Sequence, residues 1–527
     1  MRQHSIMQHN FSQAPQTSIP RSSFNRSYGH KTTFSAGYLI PFHIDEVLPG
    51  DTHNVQSTIF ARFATLLFPL MDNVHLDVFF FFVPNRLVWE HWENFCGARF
   101  PNTNSTIDYT IPTVASDDTS DFGEGTIYDY FGIATKKSGV EVNALPLRCY
   151  NKIWDDWFRD ENLQNAVNTA ITDTDNVPSD FALLRRGKRY DYFTSSLPSP
   201  QKGSAVELPL GTSAPVISTG VAPTFQNITD PFTDARNMQA NAATNVMALE
   251  GAAIGTSQQD LIFVATGLET DLSAATSATI NALRLAITTQ QFQEREMRGG
   301  TRYVELLKSH FQVVSPDFRL QRSELLATYS TSMNVNVVPQ NSGTGQTGQT
   351  TPQGNLAAFA AVTAIKNGFV KSFVEHGYII GLLSARADLT YQQGTERLWY
   401  NSTRFDFYWP EFANLGEQAV LMREIYTLGT ADDLNVWGYQ EAWAHYRFKN
   451  SRISGLFRTN ATGTLDSWHL SQDLSTPALN STFIVDNPPT TRVKATSGDP
   501  DFICDIYNKI ISARPMPMYS VPGLRRL

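Results

Sequence analysis

The sequence predicts a mainly β fold, a sandwich or jelly roll interrupted by long excursions. Two observations carry this. Strand signals recur from Val55 to Val83, Val335 to Val338, Phe369 to Val374, Tyr378 to Leu389 and Phe502 to Ile511, with long connections and few helices between them, a spacing unlike an alternating parallel-sheet fold. Within Val74 to Val83, moreover, Val74, Leu76, Val78, Phe80 and Phe82 share one face by the two-residue period, while the other face changes from His75 and Asp77 to Phe79 and Phe81. A strand wet on one face at its start and apolar on both at its end belongs in a sandwich whose outer face is covered, by an inserted segment or by a neighbouring subunit.

Residues 1 to 32, rich in Ser, Gln, Asn and Pro, read as an extended arm, and a strand-like run follows from Thr33 to Val47, closed by Pro49-Gly50. After the Val55 to Phe68 strand and a turn over Pro69 to Asn73 comes the two-faced strand, which Pro84 stops. Asn85 is placed to cap a short helix with Trp89, Trp92 and Cys96 on one stripe, ended by Gly97. Residues 101 to 146 read as loop, and Arg148 to Leu163 as a helix bearing Trp154, Trp157 and Phe158.

Residues 203 to 280 form the sharpest composition shift. Ala, Thr, Ser, Asn and Gly dominate, Trp and Tyr are absent, and Arg236 is the one basic residue among seven acidic ones, so the segment reads as an insertion. Its Ala-rich run from Asn237 to Leu249 could bury its small side chains only against equivalent copies. A helix from Ile280 to Arg298, with Ile280, Leu283 and Ile287 at helical spacing, stops at Gly299-Gly300. Thr301 starts another, with Val304, Leu307 and Phe311 on one side.

Hydrophobic residues make up 41% of the 527 and charged residues 17%; such a surface is covered by uncharged polar groups or by other protein, which favours an assembly subunit. No apolar run suits a signal peptide or a membrane span, and Cys96, Cys149 and Cys504 have no paired spacing, so synthesis in a reducing cytoplasm is expected. Net charge is -9, yet nothing before Asp45 and nothing after Asp505 is acidic. Arg2, Arg21, Arg26 and Lys31 at one end, and Lys509, Arg514, Arg525 and Arg526 at the other, suit contact with a polyanion, because cations neutralise phosphate and the interleaved rings stack on unpaired bases. Solvated tails account for the same charges.

No motif carries catalysis. Gly343-Thr-Gly345-Gln-Thr-Gly348 matches a dinucleotide fingerprint, but Pro352 interrupts the helix that would receive the phosphate. The acids of Asp155-Asp156-Trp157-Phe158-Arg159-Asp160-Glu161 point around a helix and do not converge on one bond. The dispersed His form no zinc motif, and no nucleophile elbow is present. No catalytic residue, metal ligand or cofactor is assigned.

Phe79-Phe-Phe-Phe-Val-Pro-Asn-Arg-Leu-Val-Trp89, Trp157-Phe-Arg-Asp-Glu-Asn-Leu163, Arg298-Gly-Gly-Thr-Arg-Tyr303, Val314-Ser-Pro-Asp317, Leu320-Gln-Arg322, Arg386-Ala-Asp-Leu-Thr-Tyr-Gln-Gln393, Gly438-Tyr-Gln-Glu441 and Leu465-Asp-Ser-Trp-His-Leu470 resemble, in this order, the major capsid proteins of gokushoviruses, phages of the Microviridae. The resemblance implies an eight-stranded viral jelly roll with large loop and helical insertions, sixty copies in a T=1 icosahedral shell around a circular single-stranded DNA, and no enzymatic activity. It implies as partners an internal scaffolding protein, a small basic DNA-binding peptide, a pilot protein and a bacterial surface receptor, and as locations the host cytoplasm and then the virion. The chain then divides into a basic arm, 1–32; the first part of the jelly roll, 33–202; a surface insertion at the threefold axis, 203–280, with Asn237 to Leu249 facing the host; and the remainder with its basic tail, 281–527. Arg2, Arg21, Arg26, Lys31, Arg514, Arg525 and Arg526 are the expected DNA-facing residues. A secreted β-sandwich carbohydrate hydrolase or lectin is the alternative, distinguished by particle mass.

Overall fold

The computed structural model describes residues 20–99, 101–102, 104–206, 280–341, 354–496 and 498–519, with Lys366 by its backbone only, and also the backbone of six short strands between 216 and 270. The chain divides into two compact units, one of Met1–Pro200 with Glu296–Leu527 and one of Gln201–Arg295.

The larger unit is mainly β and is built on eight long strands: β1 (Tyr28–Phe34), β2 (Ile40–Val47), β3 (Thr52–Phe63), β4 (Val74–Pro84), β5 (Glu324–Ser332), β6 (Leu356–Ser372), β7 (Gly377–Ala387) and β8 (Phe502–Arg514). They pair into two antiparallel sheets. One runs β1-β8-β3-β6, with Ser22–Asn25 also on β8 and Asn334–Pro339 on the free edge of β6; the other runs β2-β7-β4-β5. β3 and β8 alternate between buried and wet positions, as strands with one covered face must. The inward residues of the two sheets form a single core: between the sheets Phe80 lies 5.4 Å from Phe369 and Phe82 4.6 Å from Phe373, while within them Phe42 lies 5.6 Å from Phe80, and Phe34 and Phe63 each lie 4.9 Å from Phe502. The arrangement is a β-sandwich.

β4 is buried on both faces over its second half. Phe79, Phe81 and Val83 leave the sandwich core and enter a second one, with Trp89, Leu147, Tyr150, Ile153 and Trp154. Of the two expected covers, the one present is an inserted segment of the same chain. Its main element is α1 (Leu145–Trp157), which tolerates Pro146 because the first turn needs no N–H there. Three polar tips fix this helix: Tyr150 donates to the Leu39 carbonyl at 2.9 Å, Trp154 to that of Arg185 at 3.0 Å and Trp157 to that of Ser323 at 2.9 Å. Arg148, buried, donates to the carbonyls of Val88, Thr172 and Thr174 and to Asn176, holding the loop beyond α1 against the helix.

The structure corrects several local expectations. The run from Thr33 to Val47 is two strands, broken at Gly37, whose φ of +80° and contact with the Asp486 carbonyl leave no room for a side chain. The arm is strand-paired from Ser22 onward, because β8 offers its edge to Ser22–Asn25 and then to β1. Asn85 does not cap the expected short helix; it lies in a 3₁₀ turn, Asn85–Leu87, that precedes a separate four-residue helix, Trp92–Phe95, so Trp89 is buried while Cys96 is exposed. Asp77 is not wet. It is buried, accepting from Arg386 at 2.9 Å and from Arg186. The helix expected to reach Leu163 ends at Trp157, after which the Asp160 carboxylate accepts from the N–H groups of Asn162 and Leu163 and closes a turn.

In the smaller unit Val246–Leu249, Arg236–Asn241, Thr224–Asn227 and Leu261–Ala265 form a four-stranded antiparallel sheet, and Val216–Ser218 pairs with Leu268–Thr270. Helix α2 (Ile280–Gly299) begins there with its expected apolar stripe, Ile280, Leu283 and Ile287, exposed. Helix α3 (Tyr303–Phe311) follows in the larger unit. The Gly343 to Gly348 loop lies outside the described residues.

Candidate functional site

The basic residues near the two ends of the chain fall into two groups. Arg26 and Arg514 converge from opposite termini because Ser22–Asn25 and β8 are adjacent strands. Arg26 grips the buried Asp45 carboxylate at 2.6 and 2.8 Å; Arg514 lies 3.5 Å from Asp45 and 3.3 Å from the buried Asp51, and donates to the Glu46 carbonyl at 2.7 Å. His53, fully buried, lies 3.3 Å from Asp51 and 2.9 Å from the Ser512 hydroxyl, and burial holds its pKa below the ordinary value. Burial takes His43 down to about 4, so at neutral pH its ring is uncharged, and its Nδ1 shares a hydrogen bond with the Tyr28 hydroxyl at 2.8 Å. Arg26 and Arg514 are thus engaged with internal carboxylates and clasp both termini to β2.

Arg21 and Lys31 stand at the surface. Arg21 donates to the Thr52 hydroxyl, and Lys31, 82% exposed, reaches Asp505 at 3.3 Å. Arg2, Arg525 and Arg526 lie outside the described residues. Asn237 and Leu249 lie on adjacent strands, Leu249 opposite Met238 and Asn237 opposite Thr224; their side chains are also outside the description.

Lys31 belongs to a larger feature. On the wet face of the β1-β8-β3 sheet, Lys31 is in register with Asp505 and Asp505 with Phe60; Ile503 is opposite Arg62, Tyr507 opposite Thr58, and Lys509 opposite Gln56. Phe60 and Tyr507 are each about half exposed, and three cations share this face with one carboxylate, Asp505. Flat rings between cations form a surface that stacks on unpaired bases and neutralises phosphate. Sequence reasoning missed Phe60, Arg62 and Tyr507; the signal was their alternation with the core residues Ile59, Ala61 and Ile506.

The acidic run after Lys152 is structural. Lys152 pairs with Asp156 at 3.0 Å and Arg159 with Asp155 at 2.9 Å, while Asp156 accepts from the Ser323 N–H and hydroxyl at 2.8 and 2.9 Å, tying α1 to the start of β5. Among the described residues no group of three or more His, Cys, Asp or Glu is placed to hold a metal ion.

The sequence profile of a phage family, capsid protein (F protein), matches residues 12–524. The chain belongs to that family. It is 46% identical to capsid protein VP1 of Bdellovibrio phage phiMH2K, with 98% of each chain covered, and 44% identical to capsid protein VP1 of Chlamydia phage 1, with 99% of each covered. To capsid protein VP1 of Spiroplasma virus 4 it is 36% identical, again with 98% of each covered. The gokushovirus resemblance carried by the sequence motifs is therefore sound. As a major capsid protein the chain is a structural component of the virion rather than an enzyme, and the hydrolase or lectin alternative is set aside.

Proposed function

We propose that this major capsid protein closes as sixty copies into a T=1 icosahedral shell around a circular single-stranded DNA. The wet face of the β1-β8-β3 sheet, with the tails bearing Arg2, Arg21, Arg525 and Arg526, faces the genome. The observation that carries this is the juxtaposition of Lys31, Arg62 and Lys509 with Phe60 and Tyr507. Arg26 and Arg514 serve DNA binding only indirectly, by holding the strands that display this face.

The body is an eight-stranded jelly roll in this reading, and strand order supports it. β1 pairs with β8, β2 with β7, β3 with β6 and β4 with β5, as if one long hairpin ribbon had been wrapped so that alternate pairs fall in alternate sheets. The long excursion between β4 and β5 sits at the tip of that ribbon. Residues 203–280 form the outward protrusion, and the exposed stripe of Ile280, Leu283 and Ile287 suits shielding by equivalent copies around a threefold axis. An internal scaffolding protein, a small basic DNA-binding peptide, a pilot protein and a bacterial receptor complete the partners, and the three free cysteines suit synthesis in the host cytoplasm.

Replacing Lys31, Arg62 and Lys509 with Ala tests the genome-facing surface. Shells should still form, and the slope of log affinity for single-stranded DNA against log salt should fall by roughly 2 per subunit, at about 0.7 for each phosphate that is no longer neutralised. An unchanged slope and unchanged packaged DNA would remove this face and leave the tails, tested in turn with Arg525→Ala and Arg526→Ala.

A further inference from the structure

The excursion between β7 and β8, residues 388–501, is largely irregular. Its elements are short: 3₁₀ turns, among them Arg397–Tyr400, Arg404–Asp406 and Pro410–Phe412, four-residue helices at Met422–Ile425, Ala444–Arg447 and Ser481–Ile484, and one hairpin, Glu417–Leu421 with Val436–Glu441. It has its own small core, around Tyr192, Tyr391, Val420, Trp437 and Phe483. Seven large rings nevertheless stay outside it: Trp399, 71% exposed, and Phe405, Phe407, Tyr408, Trp409, Tyr446 and Phe448, each about half exposed.

The three segments that carry these rings touch one another. Tyr408 stacks its edge on Trp443 at 5.7 Å and meets Tyr446 at 6.4 Å; the Trp409 indole donates to the Arg404 carbonyl at 2.8 Å; Phe405 lies 6.0 Å from Phe412. Glu396, whose carbonyl accepts from the Trp399 N–H at 3.1 Å, is ion-paired to Lys449, the residue after Phe448. At about 200 Å² per aromatic side chain, the seven present roughly 770 Å² of exposed surface. That exceeds the apolar patch of a typical monomer and is close to the ~800 Å² that each partner contributes to a stable interface.

The rim decides what covers it. Arg447, Lys449 and Arg452 stand beside the rings, each ion-paired to Glu441 or Glu396, so the patch has no single-sign field for a phosphate backbone, unlike the β1-β8-β3 face; an apolar centre with a mixed-charge rim is the anatomy of a protein interface. We propose that this patch is where one subunit packs against another copy of the same chain, with Trp399 and Phe448 as anchors. The inference rests on the shell reading above.

Full-length Trp399→Ser with Phe448→Ser tests it, with Phe311→Ser, an exposed ring on α3 outside the patch, as the control. Both rings are at least half exposed, so the double variant should melt with the wild-type subunit, while its yield of shells in sedimentation velocity falls at least tenfold; Phe311→Ser should assemble normally. Hydroxyl-radical footprinting of wild-type protein reads the same surface without substitution, and Trp399 and Tyr446 should be labelled in free subunits and protected in shells. Wild-type shell yield from the double variant, or equal labelling of Trp399 in both states, overturns the proposal. Wild-type subunits that never close into shells would overturn the shell reading instead.

Discussion

Phe81→Ala probes the two-sided burial of β4 most sharply. The ring is 1% exposed, lies 5.7 Å from Trp157 and 5.9 Å from Phe158, and is flanked in register by Leu325 of β5 and Ile380 of β7. Its environment is as closed as that of Phe80, which faces the sandwich core and is 0% exposed. Truncating either should therefore cost about 3 to 5 kcal/mol. Phe60→Ala, on the wet face of β3, should stay within about 0.5 kcal/mol. The assay is urea unfolding of unassembled full-length protein followed by tryptophan fluorescence. With an m-value near or above about 3 kcal/mol/M for a chain of this size, the two core variants should lose roughly 1 M in midpoint. If Phe81→Ala unfolds with Phe60→Ala while Phe80→Ala falls, the second core contributes nothing and the account of the inserted segment as a cover fails.

Asp77→Ala should cost about 3 to 5 kcal/mol, because it leaves Arg186 and Arg386 buried without their carboxylate, and urea midpoints read this directly. Burial by itself would raise the Asp77 pKa, but Arg186, a Ser330 hydrogen bond and Arg386 together hold it below the ordinary value. Its contribution is therefore complete above the usual carboxylate range and lost as pH falls through the lowered folded value, so Asp77→Asn should flatten the acid limb of stability below about pH 4. An acid limb identical to wild type would contradict the pairing. Exchanging residues 203–280 for the matching segment of a related phage should leave assembly intact and change which bacteria adsorb the particle. Unchanged adsorption by a normal chimeric particle would make the segment a spacer.

Much of the sandwich was legible because its strands carry either the two-residue period in strongly apolar side chains, as in Val74 to Phe82 and β8, or a continuous apolar run, as in Tyr378 to Leu383. β5 was not, because Thr328, Ser330 and Ser332 give it too little apolar contrast for a strand signal, and its place is set by pairing with β4. The break at Gly37 was hidden because its cause, the Asp486 carbonyl, is distant in sequence. Charge counting found the basic termini but could not separate Arg26 and Arg514, whose carboxylate partners lie on β2 and just before β3, from Lys31, which stays exposed. The rings at Phe60 and Tyr507 were ordinary strand residues until register put them beside Arg62 and Lys31.

If this chain is the repeating unit of a closed shell, the copy number fixes the mass of the assembled particle. Native mass spectrometry of DNA-free particles should give sixty chains of 58.9 kDa, about 3.5 MDa, with one sharp species. A monomer, a small oligomer or a ladder of open polymers would contradict it.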